Sequence, residues 1–381
     1  MKHQKHAKLT RPNYGNFARN EWAFLGTPCS EIKKLAFQLT ESLSKKHKIG
    51  YVDADHKSAD EAVTDADSAM SFGAKMEYTD KITFHRFDKK GQVNDWDFRQ
   101  QFNGMDLVLV NGNHFKAKNQ VVFIDERKRD SLQRKLDRLT NVELIILQAG
   151  ETEAFSFLRD SLENFANIPI VSITDFQKIE QFFFEKMEAA TPLLYGLVLA
   201  GGKSTRMGRD KGLIEYHGKP QREYVFEMMD DVCEKTFLSF REGQENESEL
   251  PVLHDTFTGL GPFGAILSAF REHPNQAWLV VACDLPLLDK KTLDYLFKNR
   301  NSSKLATAFY NPETDFPEPL ITIWEPRSYP ILYQFLAQGY SCPRKVLINS
   351  DIEMLKIDET AVLKNVNKPE ELAEVKAQIL K

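Results

Sequence analysis

The segment Leu197-Val-Leu-Ala-Gly-Gly-Lys-Ser-Thr-Arg-Met-Gly-Arg-Asp-Lys211 decides the fold of the half of the chain in which it lies. An apolar run suited to a buried strand passes without a break into small and basic residues. Gly201 and Gly202 carry no side chain, so their N–H groups can approach a polyphosphate closely, and a positive φ costs them little. Arg206 offers a bidentate fork to phosphate oxygens and Lys211 a point charge. A lone glycine pair fits a solvated basic loop better. The conjunction of both glycines with Arg206 and Lys211 behind one strand points to phosphate.

Outward from this segment, short apolar runs at 195–200, 237–240, 278–283, 305–309 and 320–324 read as buried strands. The stretch before residue 190 has the same character, with strands at 22–25, 49–52, 105–110, 121–124, 144–147 and 168–171. Helical stretches lie at 31–44 and 176–187. Such alternation is the mark of βαβ units around a largely parallel sheet. Ala189-Ala-Thr-Pro192 reads as a linker. At 381 residues the chain exceeds one typical core. The expectation is two α/β domains in series, 1–190 and 191–381, the second Rossmann-like with a mixed, mostly parallel sheet. The polar stretch 242–249 reads as an exposed loop, and no internal repeat is present.

Composition excludes several classes. With 42% hydrophobic and 28% charged residues the chain is an ordinary globular one. A net charge of -5 gives no general attraction for nucleic acid. Cys29, Cys233, Cys283 and Cys342 are scattered, without a CxxC pair or a histidine at zinc spacing, as expected of reduced thiols. Nothing approaches the ~20 consecutive apolar residues of a membrane span, and the basic start of the chain has no apolar run behind it. A cytoplasmic protein with neither a nucleic-acid nor a membrane partner is expected.

The pattern LAGG-x-S-x-RMG-x-DK-x-L, followed by Gly218-Lys219-Pro220, resembles the molybdenum cofactor guanylyltransferases within the wider superfamily of sugar-nucleotide and cofactor nucleotidyltransferases. Four further segments follow in the family's order. Gly261-Pro-Phe-Gly264 is similar to its GPL-x-G turn, Ala282-Cys-Asp-Leu-Pro286 to its CD-x-P, and Glu318-Pro-Leu320 to its PL strand. Asn365-Val-Asn-Lys-Pro-Glu-Glu-Leu372 is similar to its N-x-N-x-P-E-E-L. Together they cover nearly all of residues 194–381.

Asp284 follows an apolar strand, so its carboxylate belongs at the carboxyl edge of the sheet, where open α/β folds bind ligands. Read locally it is either a turn former before Pro286 or a hard oxygen ligand for Mg²⁺; the resemblance implies the metal. Asn367, with Glu370 three residues on, fits a helix N-cap and capping box. The resemblance places this motif in the acceptor or metal region and makes Asn365 the better functional candidate. It also implies an acidic residue near the nucleoside at Asp255, and nucleotide contacts from Leu199, Ala200, Gly201, Gly202, Arg206, Lys211 and Gly261.

In the first half, Trp22-Ala-Phe-Leu-Gly26 runs into Thr27-Pro-Cys-Ser-Glu-Ile-Lys33 where a P-loop would sit. Glu31 stands in place of the second glycine and Ile32 in place of the lysine, so the charge clamp is lost and a carboxylate faces any phosphate. Asp106-Leu-Val-Leu-Val-Asn-Gly112 resembles the DLVLVEG strand of the small P-loop GTPase that partners the guanylyltransferase, with Asn111 replacing the acid. Gly50-Tyr-Val-Asp-Ala-Asp-His56 is similar to a neighbouring strand of that GTPase. Asp53, Asp55 and His56 read as surface loop residues rather than metal ligands. The expected domain is a degenerate P-loop relic or scaffold, able to dock the cofactor or a partner enzyme.

The function implied is Mg²⁺-dependent transfer of GMP from GTP to the phosphate of molybdopterin, with Lys211, Arg206 and Asp284 catalytic and pyrophosphate released. Molybdoenzymes or other cofactor-synthesis proteins are the implied partners. A cytidylyl or sugar-1-phosphate transferase is the alternative within the class, and a non-catalytic cofactor-binding assembly protein the alternative outside it. Guanine is preferred because LAGG stands where related cytidylyltransferases carry LAAG.

Overall fold

The computed structural model describes residues 15–55, 68–201, 210–241, 243–244, 249–366 and 369–379. The chain divides into two compact units, Met1–Ala190 and Thr191–Lys381. No helix among the described residues is long and apolar enough to cross a membrane.

The first unit runs β1 (Glu21–Leu25), α1 (Cys29–Leu43), β2 (Ile49–Val52), β3 (Met76–Asp80), β4 (His85–Lys89), α2 (Asp95–Gln101), β5 (Leu107–Asn111), β6 (Asn119–Ile124), α3 (Arg129–Gln133), β7 (Val142–Leu147), α4 (Ser156–Ser161), β8 (Ile170–Ser172) and α5 (Phe176–Ala189). Six strands form a sheet in the order β2-β5-β1-β6-β7-β8, every pair parallel. Period-2 alternation divides the strand side chains between two apolar layers. Leu107 and Leu109 of β5 pack on the α1 and α5 side with Ile32, Leu35, Ile179 and Phe183, and Val108 and Val110 pack on the other with Leu132 and Leu158. Covered on both faces, β1 and β5 are buried along their whole length, so they read as unbroken apolar runs. The antiparallel hairpin β3-β4 forms a separate two-stranded sheet that the sequence reading did not anticipate. Its strands, MEYTD and HRFDK, mix charge with exposed aromatics and lack a buried face to impose a pattern.

The second unit runs β9 (Leu194–Leu199), α6 (Gln221–Asp230), β10 (Lys235–Phe240), β11 (Val252–His254), α7 (Pro262–Glu272), β12 (Ala277–Ala282), α8 (Lys290–Lys298), β13 (Ala306–Asn311), β14 (Phe316–Trp324), α9 (Ser328–Ala337), α10 (Pro343–Ile348), β15 (Glu353–Leu355) and α11 (Pro369–Ile379). Its sheet has the order β11-β10-β9-β12-β14-β13-β15. Only β14 runs against its neighbours, so the sheet is mixed but mostly parallel. From β9 the chain steps outward to β10 and β11, then returns to β12 on the other side. That reversal opens a crevice at the carboxyl ends of β9 and β12, the usual ligand position in such sheets. Strand β14 starts at Phe316, four residues before the expected 320. Pro317 and Pro319 cannot donate to a ladder, and the register against β13 shifts between Ala308 and Tyr310.

Candidate active site

Strand β9 delivers Leu199, half-buried, and Ala200, buried, to the crevice, and the Ala200 N–H donates to Ser239 O at 3.2 Å. A Cβ on Gly201 would stand 3.1 Å from Arg241 N and 3.3 Å from Gln244 Oε1, so the crossing loop leaves little room for a side chain. Gly202 and Arg206 lie outside the described residues. Where the description resumes, Asp210 Oδ1 accepts from Gly212 N at 2.9 Å, forming the cap of a 3-10 turn, Lys211–Leu213. That turn holds Lys211 so that its Nζ lies 3.4 Å from Asp284 Oδ2, with the two side chains 22% and 20% exposed.

Asp284 stands two residues past the end of β12, as its position behind an apolar strand implied. Its Oδ1 is buried and has no hydrogen-bond partner among the described residues. Burial pushes the carboxyl above the usual carboxylate range, and the Lys211 charge and hydrogen bond work against that rise. The C-terminal segment closes on the same point, because Val366 N donates to Asp284 O at 2.9 Å. That bond brings in Asn365, whose Oδ1 is likewise buried and partnerless. Asn367 lies outside the described residues, and α11 begins at Pro369.

Buried oxygens without donors are unfavourable unless something electropositive meets them. A carboxylate and an amide oxygen suit a hard cation such as Mg²⁺, which takes few protein ligands and keeps waters and substrate phosphates for the rest. Among the described residues no group of three or more His, Cys, Asp and Glu is arranged to hold a metal.

Asp255 follows β11, two strands out from β9 in the sheet. Its N–H donates to Phe240 O at 2.8 Å and its Oδ1 accepts from Ser239 Oγ at 2.7 Å. Burial raises this carboxyl, with the Ser239 bond in opposition. Gly261 takes a φ of 57° as the cap of α7. Lys219 of the Gly-Lys-Pro turn is bound to Glu227 at 2.6 Å, and Pro220 caps α6.

Two polar side chains escaped the sequence reading. Gln221 and Arg222 open α6 and are 0% and 5% exposed. The Gln221 Oε1 and Arg222 Nε atoms have no partner, and Arg222 has no ion pair among the described residues. The Arg222 stem packs against Gly212 and its guanidinium lies 5.6 Å over the Phe240 ring. The signal available was a pair of polar residues at the start of a helix whose apolar stripe must face the sheet.

The corresponding loop of the first unit is built differently. Helix α1 starts at Cys29, only three residues past Gly26. The N–H groups of Glu31 and Ile32, which a P-loop would turn toward phosphate, donate to Pro28 O at 3.0 and 3.2 Å. Thr27 Oγ1 donates to the buried Asp125 at 2.6 Å. Asn111 Nδ2 donates to Asp53 Oδ1 at 2.7 Å, and Tyr51 donates to the other oxygen. Burial alone would raise Asp53, but its bonds from Tyr51, Ala54 N–H and Asn111 outweigh it and hold the carboxyl low. Both of its oxygens already have donors, in contrast to Oδ1 of Asp284. His56 lies outside the described residues.

A Rossmann-like sheet with a glycine just past its first strand, and with a lysine and a largely buried aspartate paired at the switch point, has the construction of a nucleotidyltransferase. Comparison with known proteins gives the same class. Residues 196–352 match the family described as MobA-like NTP transferase domain. The chain is 31% identical over 161 residues to the molybdenum cofactor guanylyltransferase of Serratia proteamaculans, covering 41% of this chain and 78% of that one. It is 34% identical over 193 residues to the molybdenum cofactor biosynthesis bifunctional protein of Synechocystis sp., covering 50% of this chain. The chain thus spans about half, 56%, of the length of that relative. Among solved structures it is similar to a MobB protein homolog from Bacillus stearothermophilus, with 16% identity and a TM-score of 0.32 over 45% of this chain and 99% of that one. The chain belongs to the molybdenum cofactor guanylyltransferase family, and it is a nucleotidyltransferase.

Proposed function

We propose that residues 191–381 transfer GMP from GTP to the phosphate of molybdopterin and release pyrophosphate. The observation that carries the reading is that Asp284 Oδ1 and Asn365 Oδ1, both buried and without a hydrogen-bond partner among the described residues, lie on segments joined by the Val366 N to Asp284 O bond, with Lys211 Nζ 3.4 Å from the other Asp284 oxygen. A phosphate-monoester oxygen of the acceptor bonds to the α-phosphorus as the bond from that phosphorus to the β-bridging oxygen breaks. Little base catalysis is needed, because a monoester with a second pKa near 6 is already mostly dianionic at neutral pH. The work of the chain is positioning and charge neutralisation. Asp284 and Asn365 would hold Mg²⁺, which supplies charge neutralisation to the α- and β-phosphate oxygens. Lys211 places its ammonium beside the same carboxylate, within reach of those phosphates. Gly201 lets the strand-end backbone approach them, and Asp255 is assigned to the nucleoside. Arg206, Gly202 and Asn367 keep the phosphate and acceptor roles that their motifs imply. The family supports GTP as donor and molybdopterin as acceptor. Incubation with each of the four nucleoside triphosphates, Mg²⁺ and molybdopterin, with the product identified by mass, tests the reading. A guanylyl product is expected; a cytidylyl product, or none, would overturn it.

Arg222 belongs to the same reading. An almost buried guanidinium without an ion pair among the described residues suits a protein that meets phosphate there, since charge-assisted Arg–phosphate bonds are strong. Arg222→Met is expected to weaken nucleoside triphosphate binding about 10-fold or more, while the ligand-free protein melts no lower, because apolar replacement of a buried charge is often neutral or stabilising. Calorimetric titration and thermal melting check it; a lower melting temperature with unchanged binding would make Arg222 a packing residue.

We assign the first unit as a degraded relative of the P-loop GTPase, which serves as a scaffold rather than a second nucleotide site. The pairing of the Glu31 and Ile32 N–H groups with Pro28 O supports this.

A further inference from the structure

We infer that the first unit keeps an anion site built from the far side of its crevice, and that this site takes the phosphate group of a small monoester rather than a nucleoside triphosphate. The inference rests on the first unit alone and stands or falls independently of the chemistry assigned to the second. The loops after the carboxyl ends of β1, β5 and β6 enclose a cavity of about 270 Å³. Its cationic lining comes from Lys128, Lys135 and Arg138, with His114 beside them, and no acidic residue is among its lining residues. Lys128 and Lys135 have no ion-pair partner among the described residues, although each is half-buried. Arg138 is anchored by a bond from Nη2 to Gly112 O at 3.1 Å, which fixes one edge of its fork at the cavity wall. Ser131, one turn before Lys135, adds a hydroxyl to the same wall.

This placement is where an open parallel sheet receives ligands. The source of charge is nevertheless not that of a P-loop. The first turn of α1 has its N–H groups of Glu31 and Ile32 bonded to Pro28 O, and Ile32 replaces the lysine that would reach a triphosphate. The cations stand instead on the segment after β6, from Lys128 through α3 to Arg138. Like charges gathered in a half-buried cavity repel one another unless an anion is shared between them. A dianionic phosphate offers acceptors to an Arg fork and two ammonium groups together. The size sets the class: ligand pockets usually run from roughly 300 to 1,000 Å³, so this one suits a phosphate with a short ester stem and not a whole nucleotide.

The test is residue-resolved protection of lysines in the full chain. Modification of Lys128 and Lys135 by an amine-reactive reagent is followed by peptide mass, with Lys116 and Lys118 as internal references. Inorganic phosphate and glycerol 3-phosphate at millimolar concentration are each expected to slow modification at Lys128 and Lys135 by about 3-fold or more, relative to chloride at equal ionic strength. Arg138→Gln is expected to remove that protection. Lys135→Gln, which leaves the Gly112 anchor intact, is expected to weaken it at Lys128. Equal protection by chloride, none by phosphate, or full protection surviving in Lys135→Gln would overturn the site. GTP protecting at far lower concentration than glycerol 3-phosphate would overturn the assigned ligand class in favour of a nucleotide.

Discussion

Asp284→Asn is expected to reduce pyrophosphate release by about 1,000-fold or more, a loss of roughly 4 kcal/mol of transition-state stabilisation, while the protein stays folded. Asparagine keeps the shape of the side chain and one oxygen but loses the charge with which Asp284 would hold a divalent cation. Stability should move the other way. A carboxylate largely taken out of water, one oxygen without a partner among the described residues and the other 3.4 Å from an ammonium, is unfavourable in the metal-free protein. Lys211 has further contacts of its own, so the neutral variant does not strand it. Thermal melting in a chelator should therefore give a midpoint for Asp284→Asn equal to or above that of the parent. A midpoint several degrees lower, with activity reduced in proportion, would make Asp284 a structural residue.

Lys211→Ala is the second large effect, expected to slow turnover by about 100-fold with only a small fall in stability, since a lysine on an edge turn carries no core packing and the Asp284 carboxyl, already raised by burial, takes up a proton more readily once the ammonium is gone. Its turn is held by Asp210 bonding to the Gly212 N–H, which the substitution leaves in place. The loss should fall on kcat as well as KM if the ammonium meets charge that develops as pyrophosphate leaves. A rise in KM alone, with kcat unchanged, would restrict Lys211 to ground-state binding.

Much of this was legible in one dimension because parallel strands buried on both faces announce themselves as apolar runs. The runs at 195–200 and 278–283 correspond to β9 and β12, which flank the crevice, and the residues following each run fall at its mouth. The glycine that ends the first strand and the aspartate that follows the fourth were readable for the same reason: chemistry at a switch point sits directly after a strand. The hairpin β3-β4 was not readable, since an exposed ribbon carries no core-facing alternation. The early start of β14 was hidden by its prolines, which normally argue against an inner strand and are accommodated here by the register shift in β13.

The sequence by itself determined the class of each half and the candidacy of the glycine loop, Asp284 and Lys211, because those depend on local pattern and on residue type. The tertiary structure alone decided what those residues meet. Asn365 reaches Asp284 through one backbone bond across 82 positions of chain, from Val366 N to Asp284 O, and no local pattern encodes that closure. The burial of Arg222 without an ion pair among the described residues, and the gathering of Lys128, Lys135 and Arg138 around one cavity, are likewise products of packing. Whether a charge is shared, buried or left unpaired depends on distances between segments far apart in sequence, and only the folded chain sets them.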